Sequence, residues 1–95
     1  MGSKLFQWDS GNRYKSLVKH QVTNKEAESC FEIEPSVIYV SGKQNSIEIR
    51  YIRVSLSDKG RLITNVFIIR DEYFRIISSR PANAQEKRKY EAAKG

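Results

Sequence analysis

Arginine presents a planar fork of donors that matches a phosphate group, and here it is concentrated in one half of the chain. Of eight arginines, seven (Arg50, Arg53, Arg61, Arg70, Arg75, Arg80 and Arg88) lie in residues 50–95. That half holds eleven basic and five acidic residues, whereas residues 1–49 hold six of each. The whole net charge of +6 therefore comes from the second half, a distribution that suits a polyanionic partner. Proton-transfer groups are scarcer. His20 is the only side chain whose ordinary pKa lies near neutrality, which makes it the default general acid or base. It could equally cap carbonyls at the end of a helix. Tyr90 could stack on a base or donate a proton, or could be the residue that docks the last helix. One histidine and one cysteine, Cys30, exclude the familiar zinc sets and an internal disulfide. No metal or other cofactor is expected, and Cys30 reads as a small core hydrophobe.

These residues need elements to position them. Leu5-Phe6-Gln7-Trp8 alternates as a short strand ended by Asp9-Ser10-Gly11. Asp9 or Ser10 can cap a first helix in which Tyr14, Leu17, Val18 and Gln21 fall at helical spacing, leaving Arg13, Lys15, Lys19 and His20 toward solvent or ligand. Thr23-Asn24-Lys25-Glu26 is a capping box that opens a second helix, with Ala27, Cys30 and Phe31 as its buried stripe. After Pro35 the pattern becomes an antiparallel meander. Ser36 to Val40 is a strand and Ser41 to Ser46 a loop. Ile47 to Leu56 is a strand with Ile52, Val54 and Leu56 on one face, and Ser57-Asp58-Lys59-Gly60 is a hairpin turn. Arg61 to Ile69 is apolar on both faces and so central. Asp71-Glu72 turns the chain into Tyr73 to Ser79, and Asn83-Ala84-Gln85-Glu86 caps a charged C-terminal helix too poor in apolar residues to dock strongly.

This order predicts an α+β fold, with two N-terminal helices packed on one face of a four-stranded antiparallel sheet and a C-terminal helix. A chain of 95 residues at 39% hydrophobic composition makes a single domain over residues 5–95 and buries only about two thirds of its unfolded surface. The uncovered sheet face is expected to carry Tyr51, Arg53 and Ser55, together with either the Arg75 set or the Arg80 set, because residues 75 and 80 have opposite parity. No apolar run approaches the roughly 18 residues of a membrane span, and no signal segment opens the chain. A cytoplasmic protein is expected.

The segment from Phe6 to Ala27 is similar to the N-terminal signature of the BrnT toxin family, F-x-W-D-x-G-N-x-x-K-N-x-x-K-H-x-V-x-x-x-E-A. Arg50, Gly60-Arg61-Leu62, Arg75-Ile76-Ile77-Ser78-Ser79-Arg80 and Glu86 through Tyr90 resemble that family's E-R, G-R-L-L, R-I-I-S-A-R and E-R-x-x-Y. The resemblance runs from Phe6 to Glu91. It departs at Ser16 in place of Asn, Ser55 in place of Gly, Ser79 in place of Ala, and in a 41–46 loop without the Asp and His often found there.

The resemblance implies a RelE-like fold and a metal-independent endoribonuclease, the toxin of a type II toxin–antitoxin pair. Its implied partners are RNA and a cognate ribbon-helix-helix antitoxin, with DNA reached only through the antitoxin and no membrane. Metal-free RNA cleavage needs a base for the 2′-hydroxyl, cations on the phosphate and an acid for the leaving 5′-oxygen. The positions implied for catalysis are Arg50, Arg61, Arg75 and Arg80, with His20 and Tyr90 for proton transfer. Lys19, Arg53 and Arg88 are expected to bind RNA. Glu86 reads as the capping acid, and Trp8, Phe6, Phe31 and Phe67 as core. A second reading, a non-catalytic RNA- or partner-binding module on the same fold, is favoured by the altered loop. Arginines converging on one phosphate-sized pocket beside a proton-transfer group would mark the enzyme, and arginines spread along a groove would mark the module.

Overall fold

The computed structural model describes residues 6–9, 11–12, 15–42 and 48–94. Two short helices, α1 (Lys15–His20) and α2 (Asn24–Ser29), lead into a 3-10 turn at Cys30–Glu32. Four strands follow as β1 (Ser36–Val40), β2 (Tyr51–Leu56), β3 (Leu62–Arg70) and β4 (Tyr73–Pro81), and α3 (Ala84–Lys94) closes the described chain. The strands form one antiparallel sheet in the order β1-β2-β3-β4. The meander matches the turn chemistry, since Gly60 takes a φ of +74° in the β2–β3 hairpin, a region costly for other residues.

The N-terminal region departs from expectation. Leu5 and Ser10 lie outside the described residues, as do Arg13 and Tyr14. Phe6 makes a single parallel bridge to Phe74 rather than a strand, and the Gln7 amide donates to the Phe74 carbonyl at 2.9 Å. The Asp9 carboxylate, an expected cap of α1, accepts from the Gly11 amide and pairs with Arg75. Instead of two helices laid along the sheet there are two six-residue segments, with α1 against β4. Leu17 is 42% exposed, and Gln21 ends α1 with a φ of 56°. The buried anchor is Val22, with no exposed surface, because the reversal at Gln21 turns the following residue inward. The box before α2 forms one of its two bonds, the Glu26 amide donating to Thr23 Oγ1 at 3.1 Å.

The main core lies between this region and one sheet face, where Val22, Ala27, Cys30, Phe31, Ile63, Phe67 and Ile76 pack together. Phe31 is its hub, with ring centroids 5.3 Å from Phe6, 5.0 Å from Phe67 and 5.3 Å from Phe74. The expected assignment of sheet faces is reversed. Tyr51, Arg53 and Ser55 lie on this covered face. Tyr51 stacks on Phe67, and Arg53 and Ser55 bond to carbonyls beneath the 3-10 turn. Alternation cannot tell which of two partly apolar faces is covered. Here the decision falls to the carbonyls ending α2 and the turn, which need donors from the sheet.

The last helix docks on the opposite face. Tyr90 is 4% exposed, and the Glu86 carboxylate accepts from Thr64 Oγ1 on β3 at 2.9 Å. Asn65, the next residue of β3, instead donates to the Ala27 carbonyl at 3.5 Å on the α2 side. Helices therefore cover parts of both faces. Weak apolar content in α3 is offset by its buried tyrosine and by a reciprocal cap, in which the Glu86 amide donates to Asn83 Oδ1 at 2.8 Å and the Asn83 amide to Glu86 Oε1 at 2.9 Å.

Candidate nucleic-acid interface

Between α3 and the sheet opens a cleft of about 680 Å3. Its walls include Tyr39 of β1, Ser41 and Gly42 after it, Arg50 and Ile52 at the start of β2, Ser78 and Arg80 of β4, and Gln85, Glu86 and Lys89 of α3. Three cations, Arg50, Arg80 and Lys89, thus face one space. The register of β4 is what aims Arg80 there. Val66 pairs with Ser78 but Phe67 pairs with Ile76, so Ile77 is an extra residue that shifts the alternation. Arg80 then lies opposite Thr64 and Arg75 opposite Ile68. Both arginines share a sheet face, although simple parity would separate them.

Carboxylates hold most of the family-matched arginines. Arg80 forms a bidentate pair with Glu86, both bonds at 2.7 Å. Burial on its own would raise the Glu86 pKa, but the Arg80 fork, the Asn83 amide and the Thr64 hydroxyl together hold it below the ordinary carboxylate range. Arg75 forms a bidentate pair with Asp9 at 2.7 and 3.0 Å, at the edge of the sheet and outside the cleft lining. Arg61 lies at the β2–β3 hairpin, with Nε donating to Glu26 Oε2 at 2.9 Å, Nη2 to Glu26 Oε1, and Nη2 also to the Gln21 carbonyl at 3.2 Å. Glu26 is itself buried and also accepts from Ser57 Oγ at 2.7 Å, and its pKa is held low by Arg61. Arg61 therefore ties the hairpin to α2, away from the cleft.

The remaining site expectations divide in the same way. His20 is half-buried at the end of α1, and Lys19 beside it is exposed; neither lines the cleft. Tyr90 is buried and docks α3, with Lys94 Nζ 5.6 Å from its ring centroid. Arg88 is exposed on α3. Arg53, expected on an open RNA-facing surface, is 5% exposed. Its Nε donates to the Cys30 carbonyl and its Nη2 to the Ile33 carbonyl, both at 3.1 Å, and its guanidinium sits 5.6 Å over the Phe31 ring. Ser55 donates to the same Cys30 carbonyl at 2.9 Å, and Ser79 donates to Asn65. Two departures from the family pattern thus supply hydroxyls to one buried polar row. Cys30 is buried, and desolvation pushes its thiol up to about 11, so it behaves as a packing residue. Of the 41–46 loop, only Ser41 and Gly42 are among the described residues.

Sequence reasoning passed over Tyr39 and Lys89. The signal was the alternation of β1, which puts Tyr39 opposite Ile52, but placing Lys89 over its ring at 4.9 Å requires knowing where α3 docks. Among the described residues no three His, Cys, Asp or Glu side chains stand together as a metal site, and no helix is long and apolar enough to cross a membrane.

A small α+β domain that turns guanidinium and ammonium groups into an open cleft has the chemistry that suits a phosphate group. Residues 8–86 match the family described as the ribonuclease toxin, BrnT, of type II toxin–antitoxin systems, and the chain belongs to that family. Family membership brings with it an endoribonuclease activity, an RNA substrate and an antitoxin partner. No curated protein matches the chain.

Proposed function

We propose that this chain cleaves RNA by attack of a 2′-hydroxyl on the adjacent phosphate, in the cleft between α3 and the sheet and without a protein-held metal ion. The observation that carries this reading is the convergence of Arg50, Arg80 and Lys89 on one space. Cations fixed around a phosphate stabilise the charge that builds on its oxygens in the pentacoordinate state. Arg80 is held in orientation by Glu86, and Arg50 and Lys89 complete the cradle. Arg61 and Arg75 support the scaffold through Glu26 and Asp9. Exposed Lys19 and Arg88 extend the basic surface along which RNA runs. A ribbon-helix-helix antitoxin neutralises the enzyme by laying an acidic, amphipathic segment over the same cations, in direct competition with RNA.

The test is incubation of the purified protein with total RNA, with and without chelator. Cleavage that persists in chelator supports the reading, and loss of cleavage restored by a divalent ion overturns the metal-free mechanism. Arg50→Ala and Lys89→Ala should each weaken RNA binding and lower its salt dependence by about one counterion.

A specific observation favours the alternative of a non-catalytic binding module on the same fold. His20 does not line the cleft, and Tyr90 is buried beneath α3, so neither expected proton-transfer group is at the phosphate. RNA binding with no cleavage of any RNA by the parent protein would establish that reading.

A further inference from the structure

In-line cleavage leaves a 5′-oxygen that must take up a proton, and the cleft has few groups able to give one. A guanidinium group is a charged hydrogen-bond donor that does not give up its proton. Glu86 is an ionised acceptor, already bonded by Thr64, Asn83 and both nitrogens of the Arg80 fork. The hydroxyls of Ser41 and Ser78 and the amide of Gln85 are far weaker acids than a phenol. Two groups remain, Tyr39 and Lys89, and they are in contact, with Lys89 Nζ 4.9 Å from the Tyr39 ring centroid.

Their positions assign them different tasks. Tyr39 is half-buried on β1, opposite Ile52 in the ladder, so its ring is carried by a paired strand of the sheet. Lys89 is exposed on α3 and lays its charge on the face of the ring. A cation there stabilises negative charge spread from a phenolate oxygen into the ring.

We propose that Tyr39 is a catalytic residue, the general acid that gives its phenolic proton to the departing 5′-oxygen, with Lys89 steadying the phenolate left behind. The assignment rests on the ribonuclease reading. In the step, the 2′-oxygen bonds to phosphorus and its proton passes to water. The P–O5′ bond breaks with its electron pair on the 5′-oxygen, which takes the proton from Tyr39. The products are a 2′,3′-cyclic phosphate and a 5′-hydroxyl, and the phenolate regains a proton from water. Burial, together with the nearby Glu86 carboxylate, raises the phenol above its ordinary pKa, so the proton is in place at neutral pH.

The experiment compares parent and Tyr39→Phe on two oligoribonucleotides. One has an ordinary scissile linkage, and the other has sulfur in place of the bridging 5′-oxygen, whose thiolate departs without a proton. Phenylalanine keeps the ring on β1 and under Lys89, and a thermal melt confirms the fold. Tyr39→Phe should cleave the ordinary linkage about 10²–10⁴-fold more slowly and the sulfur-bridged linkage within a few-fold of the parent. Affinity for an uncleavable 2′-deoxy analogue should be unchanged. Equal slowing on both linkages, or no slowing on either, overturns the role of Tyr39 while leaving the ribonuclease reading intact. A parent protein that leaves both linkages whole overturns the ribonuclease reading, and the assignment with it.

Discussion

The guanidinium of Arg80 meets the carboxylate of Glu86 through two parallel 2.7 Å bonds, joining the end of β4 to the first turn of α3. Glu86 is 8% exposed at its side chain and also closes the α3 cap. One carboxylate thus anchors a helix and orients a cleft cation. Its surroundings set what either loss would do.

Arg80→Ala should lower stability by about 2 kcal/mol, because it strips charge-assisted bonds from a buried carboxylate. Arg75→Ala should cost much less, since its partner Asp9 is 54% exposed at the side chain and water replaces the lost bonds. Urea unfolding of the two variants checks this. Equal losses would mean that Glu86 does not depend on Arg80.

The folded protein should lose stability in acid through Glu26 and Glu86. Both have folded pKa values below the ordinary 4.5, so in the native state they bind protons less readily than in the unfolded chain. Their stabilisation is fully present above about pH 5 and declines as pH falls through 4.5 toward their lowered values. Melting temperature against pH should therefore drop below this point. Glu86→Gln should flatten that drop, and an unchanged slope would contradict the role given to its carboxylate.

Arg53→Met should destabilise the fold by about 2 kcal/mol, since the Ile33 carbonyl loses the Arg53 donor and the Cys30 carbonyl is left with Ser55 beneath the 3-10 turn. The folded fraction should bind RNA with the parent's affinity and salt dependence, because a guanidinium turned into the core neutralises no phosphate. Arg50→Ala, at a cation that lines the cleft, should weaken RNA binding and lower its salt dependence. Denaturant melts combined with a salt series of RNA titrations separate the two.

Local chemistry makes much of the fold legible in the sequence, because turns and caps depend on residues a few positions apart. Gly60 marks the β2–β3 hairpin, Thr23 and Asn83 mark two helix starts, and the doubly apolar pattern of residues 61–69 marks the central strand. The family signature is equally legible, as is the arginine-rich half that fits a polyanion. What the sequence does not decide is which way these groups face. Arg53 points inward because helix-end carbonyls stand above it, and Arg75 and Arg80 share a face because Ile77 is an extra residue in β4. Tyr90 is consumed in docking α3, while Tyr39 is left at the cleft. Each outcome depends on packing between elements distant in the chain: a strand alternates its side chains by local geometry, but only the element laid against it determines which side is interior.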